Sequence, residues 1–225
     1  MTPDQFLDIL WQERATAILR TDDQEAAYKA MDAAVRGGFK VIEFTLSVPG
    51  VFELIEEFSQ REGLLVGAGT VLRPEDARRA VDAGARFIVS PVVDEAVISE
   101  AVSMDVAAMP GTFTATEMLR AHRAGAKLQK LFPAPGGGPQ YVRAMLGPLP
   151  FLRIVPTNGV DESNVGEWLS AGVFAVGFVA TLFIPGEIKR GNFDRIEEMA
   201  KISLQAAQTA PRPERGDPFD SYPNR

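Results

Sequence analysis

The stretch Gly38-Phe39-Lys40-Val41-Ile42-Glu43-Phe44-Thr45-Leu46 joins a glycine of the kind that ends helices to a predicted buried strand. The same junction recurs at Gly84, Gly125 and Gly172, at intervals of 46, 41 and 47 residues, and each interval holds two strand-helix units. This spacing is typical of a repeated module. Parallel strands joined by crossover helices and counted to eight close into a (β/α)8 TIM barrel. The alternative, a doubly wound open sheet, would need longer and more uniformly apolar strands.

The pattern places the elements as follows. Predicted strands lie at residues 15–19, 40–46, 64–70, 86–91, 106–110, 127–134, 151–156 and 174–179. Predicted helices lie at 1–13, 22–36, 51–61, from 74 onward, 94–103, 114–123, 141–146, 162–170 and 193–207. We therefore expect one barrel domain over residues 1–210, with a short N-terminal helix ahead of the first strand. The proline-rich, charged tail at 211–225 is predicted to be disordered.

Composition narrows the function. The 225 residues are 46% apolar and carry a net charge of −7 without a basic stripe, which argues against nucleic-acid binding and suits small-molecule chemistry. The chain has no cysteine, which excludes disulfides, thiolate metal sites and cysteine nucleophiles. Its one histidine, His122, falls on a predicted solvated helix surface. Without a signal-peptide pattern or an apolar run of about 20 residues, the sequence predicts a cytoplasmic protein with no membrane contact.

Two charged residues interrupt predicted buried strands. Alternation places Lys130 on the same face as Leu128 and Phe132, and it aims Glu43 into the barrel. Burial disfavours the charged form of a lysine, and a neutral amine is a nucleophile toward carbonyl carbons. A nearby acid can move the protons that such chemistry needs. The alternatives are a salt-bridged lysine at a strand end and a buried ion pair that only stabilises the core.

In a TIM barrel the active site lies at the carboxyl ends of the strands. If Lys130 attacks the keto carbon of a small 2-oxo acid, the resulting iminium is an electron sink that permits a C–C bond to break. Glu43 would then transfer protons, and Thr70 with the amides of residues 67–69 can hold the carboxylate. The residues that close the predicted strands are Arg20, Glu43, Thr45, Gly69, Thr70, Ser90, Pro91, Pro110, Gly111, Thr112, Lys130, Pro156, Thr157 and Gly177.

Six motifs carry a resemblance that covers roughly residues 10 to 205. They are Glu43-Phe-Thr-Leu, Gly67-Ala-Gly-Thr-Val71, Ser90-Pro91, Pro110-Gly111, Lys130-Leu-Phe-Pro-Ala134 and Pro156-Thr-Asn-Gly159. In order and spacing they resemble the 2-keto-3-deoxy-6-phosphogluconate (KDPG) and 4-hydroxy-2-oxoglutarate (KHG) aldolase family.

The resemblance implies a class I aldolase, a lyase of carbohydrate metabolism that uses no metal or other cofactor and forms a homotrimer. It implies cleavage of KDPG or 4-hydroxy-2-oxoglutarate to pyruvate plus glyceraldehyde 3-phosphate or glyoxylate. In this interpretation Lys130 is the Schiff-base lysine and Glu43 the general acid/base. Thr70 and Pro91 belong to the pyruvate pocket, and Phe132 forms a wall.

The sequence departs from the family pattern at three places. Ser47 stands where members often carry a substrate-binding arginine, which shifts carboxylate binding to Thr70, Arg20 or backbone. Near the expected phosphate, a paired glycine is replaced by Asn158-Gly159, and a glycine-serine pair is replaced by Val179-Ala180. A valine blocks close approach of a phosphate to the amides and alanine lacks a hydroxyl, so these residues favour a shorter, unphosphorylated substrate such as 4-hydroxy-2-oxoglutarate, whereas the family name favours the six-carbon phosphorylated acid. The substrate-binding positions expected at this end are Thr157, Asn158, Gly159, Gly177, Ala180 and Thr181.

Two other functions are compatible with a barrel of this kind. One is a phosphosugar isomerase or epimerase that uses Glu43 without a covalent intermediate. The other is a catalytically eroded aldolase-like barrel, for which Ser47, Val179 and Ala180 would be the marks of loss. Retention of both Glu43 and Lys130 argues against erosion, because buried charges are costly to keep.

Overall fold

A computed structural model of the chain describes residues 1–134 and 136–213, and in that part eight strands and ten helices follow one another as predicted for a barrel. The strands are β1 (Ala15–Leu19), β2 (Val41–Thr45), β3 (Leu65–Gly69), β4 (Phe87–Ser90), β5 (Ala107–Thr112), β6 (Gln129–Leu131), β7 (Ile154–Pro156) and β8 (Val176–Phe178). The helices are α1 (Pro3–Glu13), α2 (Gln24–Arg36), α3 (Val51–Ser59), α4 (Pro74–Asp82), α5 (Glu95–Ser103), α6 (Ala115–Arg123), α7 (Gly138–Leu146), α8 (Val165–Ser170), α9 (Pro185–Arg190) and α10 (Phe193–Thr209).

The strands form one parallel ring. Their order is β7-β6-β5-β4-β3-β2-β1-β8, so each strand neighbours the next along the chain. Between β7 and β8 the ring is closed by a parallel bridge that pairs Thr157 with Gly177. The amide of Phe174 also donates to the carbonyl of Ile154 at 2.8 Å. The fold is therefore a TIM barrel, and the open-sheet alternative is wrong.

Alternation along the strands separates two apolar layers. Ile42 and Phe44 belong to the large cluster between the strands and the outer helices. Val41 and Leu128 belong to a second cluster inside the ring. The two clusters therefore confirm the predicted outward face of β2, with Ile42 and Phe44, and its inward face, with Val41. Residues that share a face with Val41 or Leu128 point into the interior of the barrel.

The N-terminal helix closes the bottom of the barrel. Thr2 and Gln5 form a capping box that begins α1, and Pro3 occupies its first turn. Its apolar side packs Phe6, with Leu7 and Leu10, into the inner cluster, where Phe6 stacks on Phe87 with ring centroids 4.7 Å apart. Each such buried side chain contributes about 1.5–3 kcal/mol of transfer free energy. The closed bottom leaves the carboxyl end of the strands as the open face of the barrel.

Besides strands β6, β7 and β8, which are shorter than predicted, three features differ from the sequence prediction. Helix α9 was not predicted, because its six residues are too few to show a helical period. Strand β5 runs past Pro110 to Thr112, because a proline removes one donor while Gly111 still pairs with Lys130 of β6. His122 is partly buried, and its ring centroid lies 4.8 Å from that of Phe151.

The predicted disordered tail, residues 211–225, falls mostly on residues 214–225, which lie outside the described part of the chain. Of its first three residues, Pro211 accepts a hydrogen bond at 3.1 Å from the hydroxyl of Ser170, and the guanidinium of Arg212 lies 3.7 Å from the ring centroid of Trp11. Within residues 1–134 and 136–213, the helices lack the length and apolar character that a membrane crossing requires.

Candidate active site

The barrel interior holds an acid and an amine that face each other across the ring. Glu43 comes from β2 and Lys130 from β6, and Nζ of Lys130 lies 3.8 Å from Oε1 of Glu43. Glu43 is completely buried, whereas Lys130 keeps 9% of its surface exposed. The lysine is thus the group that reaches solvent, and the carboxylate lies behind it.

This pair is not the closed ion pair that would only stabilise a core. Its separation of 3.8 Å exceeds hydrogen-bond length, and within the described residues neither carboxylate oxygen of Glu43 has a hydrogen-bond partner. Removing one ion from water costs several kcal/mol, so a buried pair stabilises a fold only when additional hydrogen bonds satisfy its atoms. A carboxylate left with open acceptors beside an amine instead suits a group that accepts and donates protons during a reaction.

The environment tunes the acid. Burial raises the pKa of Glu43 above its ordinary value of 4.5, and the positive charges of Lys130 and Arg20 oppose that rise. A general acid/base works best when its pKa approaches the operating pH. Desolvation therefore shifts the pKa of Glu43 upward, in the direction that proton transfer near neutral pH requires.

Glycines leave the space that these side chains use. A side chain at Gly69 would overlap the carboxylate of Glu43, and one at Gly177 would overlap the side chain of Thr157. A side chain at Gly111 would overlap the backbone carbonyl of Pro91. The backbone at these three glycines can lie this close to Glu43, Pro91 and Thr157 only because the glycines lack a Cβ.

A cavity of about 420 Å³ opens above the pair at the carboxyl ends of the strands. Its walls are formed by Ile18, Arg20, Thr45, Thr70, Pro91, Lys130, Phe132, Thr157, Asn158 and Val179. The cavity therefore brings together seven of the predicted site residues, namely Arg20, Thr70, Pro91, Lys130, Phe132, Thr157 and Asn158. Its volume lies within the range of about 300–1,000 Å³ that is usual for small-molecule sites.

The other predicted residues lie around this cavity without forming its walls. Glu43 is fully buried beside Lys130. Gly177 lies in β8 against Thr157, and Gly159 is in the left-handed conformation after β7, with φ of 116°. Ala180 is exposed, and the hydroxyl of Thr181 donates at 2.8 Å to the carbonyl of Val160.

Two residues at the cavity mouth hold each other in place. The Nη2 of Arg20 donates to Oγ1 of Thr70 at 2.9 Å. Thr70 has φ of 61°, a left-handed conformation that is strained for a β-branched residue. Such strain costs of order 1–3 kcal/mol and persists only where the surroundings enforce it. In this conformation the hydroxyl of Thr70 lies beside the guanidinium of Arg20, and both groups can donate to a carboxylate.

Sequence reasoning missed one wall of the cavity. Ile18 lies in β1, whose five residues are all buried, and the one polar residue among them, Thr16, shares the face of Ile18, which was the available sign that this face points inward. Thr45 was placed at the strand end without a role, and its Oγ1 lies 2.9 Å from Oγ of Ser47. The hydroxyl of Thr157 is buried and has no hydrogen-bond partner within the described residues, so it is free to bind a ligand.

Comparison with known proteins gives one consistent result. Residues 7–199 match the family model of the KDPG and KHG aldolases. The chain is 34% identical over 204 residues to a 2-dehydro-3-deoxy-phosphogluconate aldolase of Pseudomonas aeruginosa. This alignment covers 88% of this chain and 92% of that protein. It is 39% identical over 173 residues to a probable 2-dehydro-3-deoxy-6-phosphogalactonate aldolase of Rhizobium meliloti, with 76% of this chain and 82% of that protein covered.

The fold also matches a solved structure with a reaction intermediate. That structure is the KDPG aldolase of Legionella pneumophila with pyruvate captured as a covalent carbinolamine. It aligns with a TM-score of 0.78 and 27% identity, covering 88% of this chain and 97% of that one.

Proposed function

The chain belongs to the KDPG and KHG aldolase family and is a class I aldolase, and from this premise we propose that Lys130 forms the Schiff base and Glu43 transfers the protons. The observation that carries the proposal is the open carboxylate of Glu43, held 3.8 Å from the amine of Lys130 in the barrel interior. Lys130 lines the cavity at the open face of the barrel, which gives a ligand access to its amine, and Glu43 lies behind it in the interior.

The proposed reaction follows from these two groups. The neutral amine of Lys130 adds to the C2 carbonyl of a 4-hydroxy-2-oxo acid, and Glu43 protonates the hydroxyl of the resulting carbinolamine, which leaves as water to give an iminium. Glu43 takes the proton of the C4 hydroxyl, the C3–C4 bond breaks, and its electron pair moves to the iminium, so an aldehyde leaves and an enamine remains. The acid returns a proton to C3, and water then hydrolyses the iminium to release pyruvate and the free amine.

We assign the carboxylate of the pyruvate half to Arg20 and Thr70. Their side chains line the cavity together with Lys130, and they are joined by a hydrogen bond of 2.9 Å. A guanidinium donates through a planar set of N–H groups that fits a carboxylate. This pair then takes over the role of the arginine for which Ser47 stands in this chain.

Two named substrates fit this reaction, KDPG and 4-hydroxy-2-oxoglutarate. They release glyceraldehyde 3-phosphate and glyoxylate respectively, besides pyruvate. Val179 is a cavity wall, and Ala180 after it offers no hydroxyl, so a phosphate lacks both close amides and a donor there. We therefore propose that, of these two substrates, the unphosphorylated one is preferred.

Borohydride reduction in the presence of pyruvate tests the chemistry. Mass spectrometry of the digested protein should place a pyruvyl adduct on Lys130, and Lys130→Ala should abolish it. Lys40 and Lys127 are internal controls, because both are exposed and paired with acids, Glu13 and Asp4. An adduct on either control, or none at all, would refute the assignment, and a barrel isomerase without a covalent step would give none.

The family resemblance also leads us to propose a cytoplasmic homotrimer. Light scattering coupled to gel filtration should give a mass three times that of the chain, and a monomer mass would contradict the proposal.

A further inference from the structure

A second cavity adjoins the first at the mouth of the barrel. This outer cavity, of about 770 Å³, lies between the ends of β1 and β2 and helix α9. Arg20 lines both cavities. Thr45 of the inner wall lies at hydrogen-bond distance, 2.9 Å, from Ser47 of the outer wall. The two spaces therefore share a boundary formed by these three side chains.

The position of the outer cavity gives it a role in the proposed reaction. C2 of the substrate must reach Lys130, so the pyruvate half occupies the inner cavity. The aldehyde half then extends from the pair toward the mouth, and two of the directions that it can take pass β8 and Arg20. Val179 narrows the first direction, because it stands in the wall at the end of β8. The second direction leads into the outer cavity.

The outer cavity is polar with nearly balanced charge. Its cations are Arg20 and Lys189, and its carboxylates are Asp22 and Asp23. Within the described residues, Arg20, Asp22 and Lys189 make no ion pair, whereas Asp23 accepts from the amide of Ala26 at 2.7 Å. Two cations and two carboxylates give little net attraction for a phosphate dianion, and the two carboxylates repel such a dianion.

The arrangement of donors and acceptors matches a different chemical group. A hydroxyl both donates and accepts, so the hydroxyls of one ligand can donate to the carboxylate of Asp22 and accept from the ammonium of Lys189, both of which line this cavity. Ser47 and Thr21 add hydroxyls to the same wall, and Ile188 gives an apolar surface for C–H groups. This mixture is suited to a chain of neighbouring hydroxyl groups.

We propose that the outer cavity binds an uncharged, polyhydroxylated aldehyde half, so that the substrate class is an unphosphorylated 3-deoxy-2-oxo sugar acid longer than 4-hydroxy-2-oxoglutarate. The inference rests on the proposed aldolase function, since it assumes that the pyruvate half is bound at Lys130. It identifies Asp22 and Lys189 as residues that determine specificity.

Condensation with saturating pyruvate tests it in the synthetic direction. The rates with glyceraldehyde, glyoxylate and glyceraldehyde 3-phosphate are compared for the wild type, Asp22→Ala, Lys189→Ala and a control, Lys201→Ala, which replaces an exposed lysine on α10. In the wild type we expect kcat/KM for glyceraldehyde to exceed both others. Loss of one hydrogen bond should lower the ratio of glyceraldehyde to glyoxylate about five- to tenfold in either variant, mainly through KM for the aldehyde. Lys201→Ala should leave the ratio unchanged.

Three outcomes would overturn the inference. A wild-type preference for glyceraldehyde 3-phosphate or for glyoxylate would do so, as would an unchanged ratio in both cavity variants that still bind pyruvate. Borohydride trapping separates this failure from that of the reaction itself, because it reports pyruvate on Lys130 independently of the aldehyde. A wild-type protein that forms no adduct would overturn the proposed function and this inference together.

Discussion

The carboxylate of Glu43 occupies the space that a side chain at Gly69 would fill. The two residues lie on the neighbouring strands β2 and β3, and Gly69 pairs with Thr45 there. Close approach of the β3 backbone therefore holds the acid in position on one side, while Lys130 stands 3.8 Å away on the other. The proposed proton transfer depends on a glycine that itself carries no functional group.

Gly69→Ala should impair catalysis strongly while the chain still folds. The added methyl must displace the carboxylate, and a misplacement of about 1 Å can cost about 100-fold in rate. We expect kcat/KM to fall by about that factor, with near-UV circular dichroism unchanged. Gly166→Ala is the matched control, because Gly166 lies in helix α8 and its new methyl would make only an ordinary contact, 3.9 Å from Ala210. Equal activity of both variants would show that Gly69 does not position Glu43.

The pH profile should report the acid. Because burial raises the pKa of Glu43, the acid limb of kcat/KM should lie above pH 4.5. In Glu43→Gln this limb should disappear, with a rate loss of about 100- to 10,000-fold. The profile is measured with a pyruvate-forming substrate in a buffer series of constant ionic strength. A limb that persists in Glu43→Gln would assign it to another group.

The same shift predicts how stability depends on pH. In the folded protein Glu43 binds its proton more tightly than in the unfolded chain, so its contribution is fully present below the unfolded value of about 4.3. That contribution is lost as pH rises from there through the raised folded pKa, since the unfolded chain then binds fewer protons. Urea unfolding at several pH values should show the wild type losing stability relative to Glu43→Gln across this window. A constant difference between the two proteins would contradict the raised pKa.

Thr70→Gly should weaken substrate binding with little change in stability. Glycine adopts the φ of 61° without the strain of a threonine, and this gain roughly offsets the entropy that a glycine adds to the unfolded chain and the lost hydrogen bond to Arg20, so the free energy of unfolding should change by less than about 1 kcal/mol. The hydroxyl that accepts from Arg20 is lost, so KM for pyruvate in condensation should rise about tenfold. Asp105→Gly serves as control, because Asp105 has φ of 55° and is exposed before β5, at the opposite end of the barrel. It should relieve a smaller strain and leave KM unchanged.

The sequence was sufficient to predict the barrel and its two charged residues. Alternation of period two placed the side chains of Glu43 and Lys130 inward. The two residues were noticed because each is a charged residue in a strand that is predicted to be buried. Neither the distance between their side chains nor the open carboxylate was predictable. Both depend on how the ring closes and on side chains absent at Gly69 and Gly111, which are set by tertiary contacts.

Other features lacked a local signal. Threonine favours extended backbone, so nothing in the sequence indicated that Thr70 would be left-handed. Helix α9 is too short for a periodic pattern, and without it the outer cavity could not be foreseen.

Restoring a phosphate site tests the role of the loop after β8. In Val179→Gly with Ala180→Ser, the backbone amides become accessible and a hydroxyl donor is added. We expect the ratio of kcat/KM for KDPG to that for 4-hydroxy-2-oxoglutarate to rise at least about tenfold, the value of one charge-assisted hydrogen bond. Val179→Ala is the matched control, because it reduces the bulk of this cavity wall but adds no donor. If that control raised the ratio equally, bulk alone would be responsible. If neither protein changed it, Val179 would not be what disfavours a phosphate in this cavity.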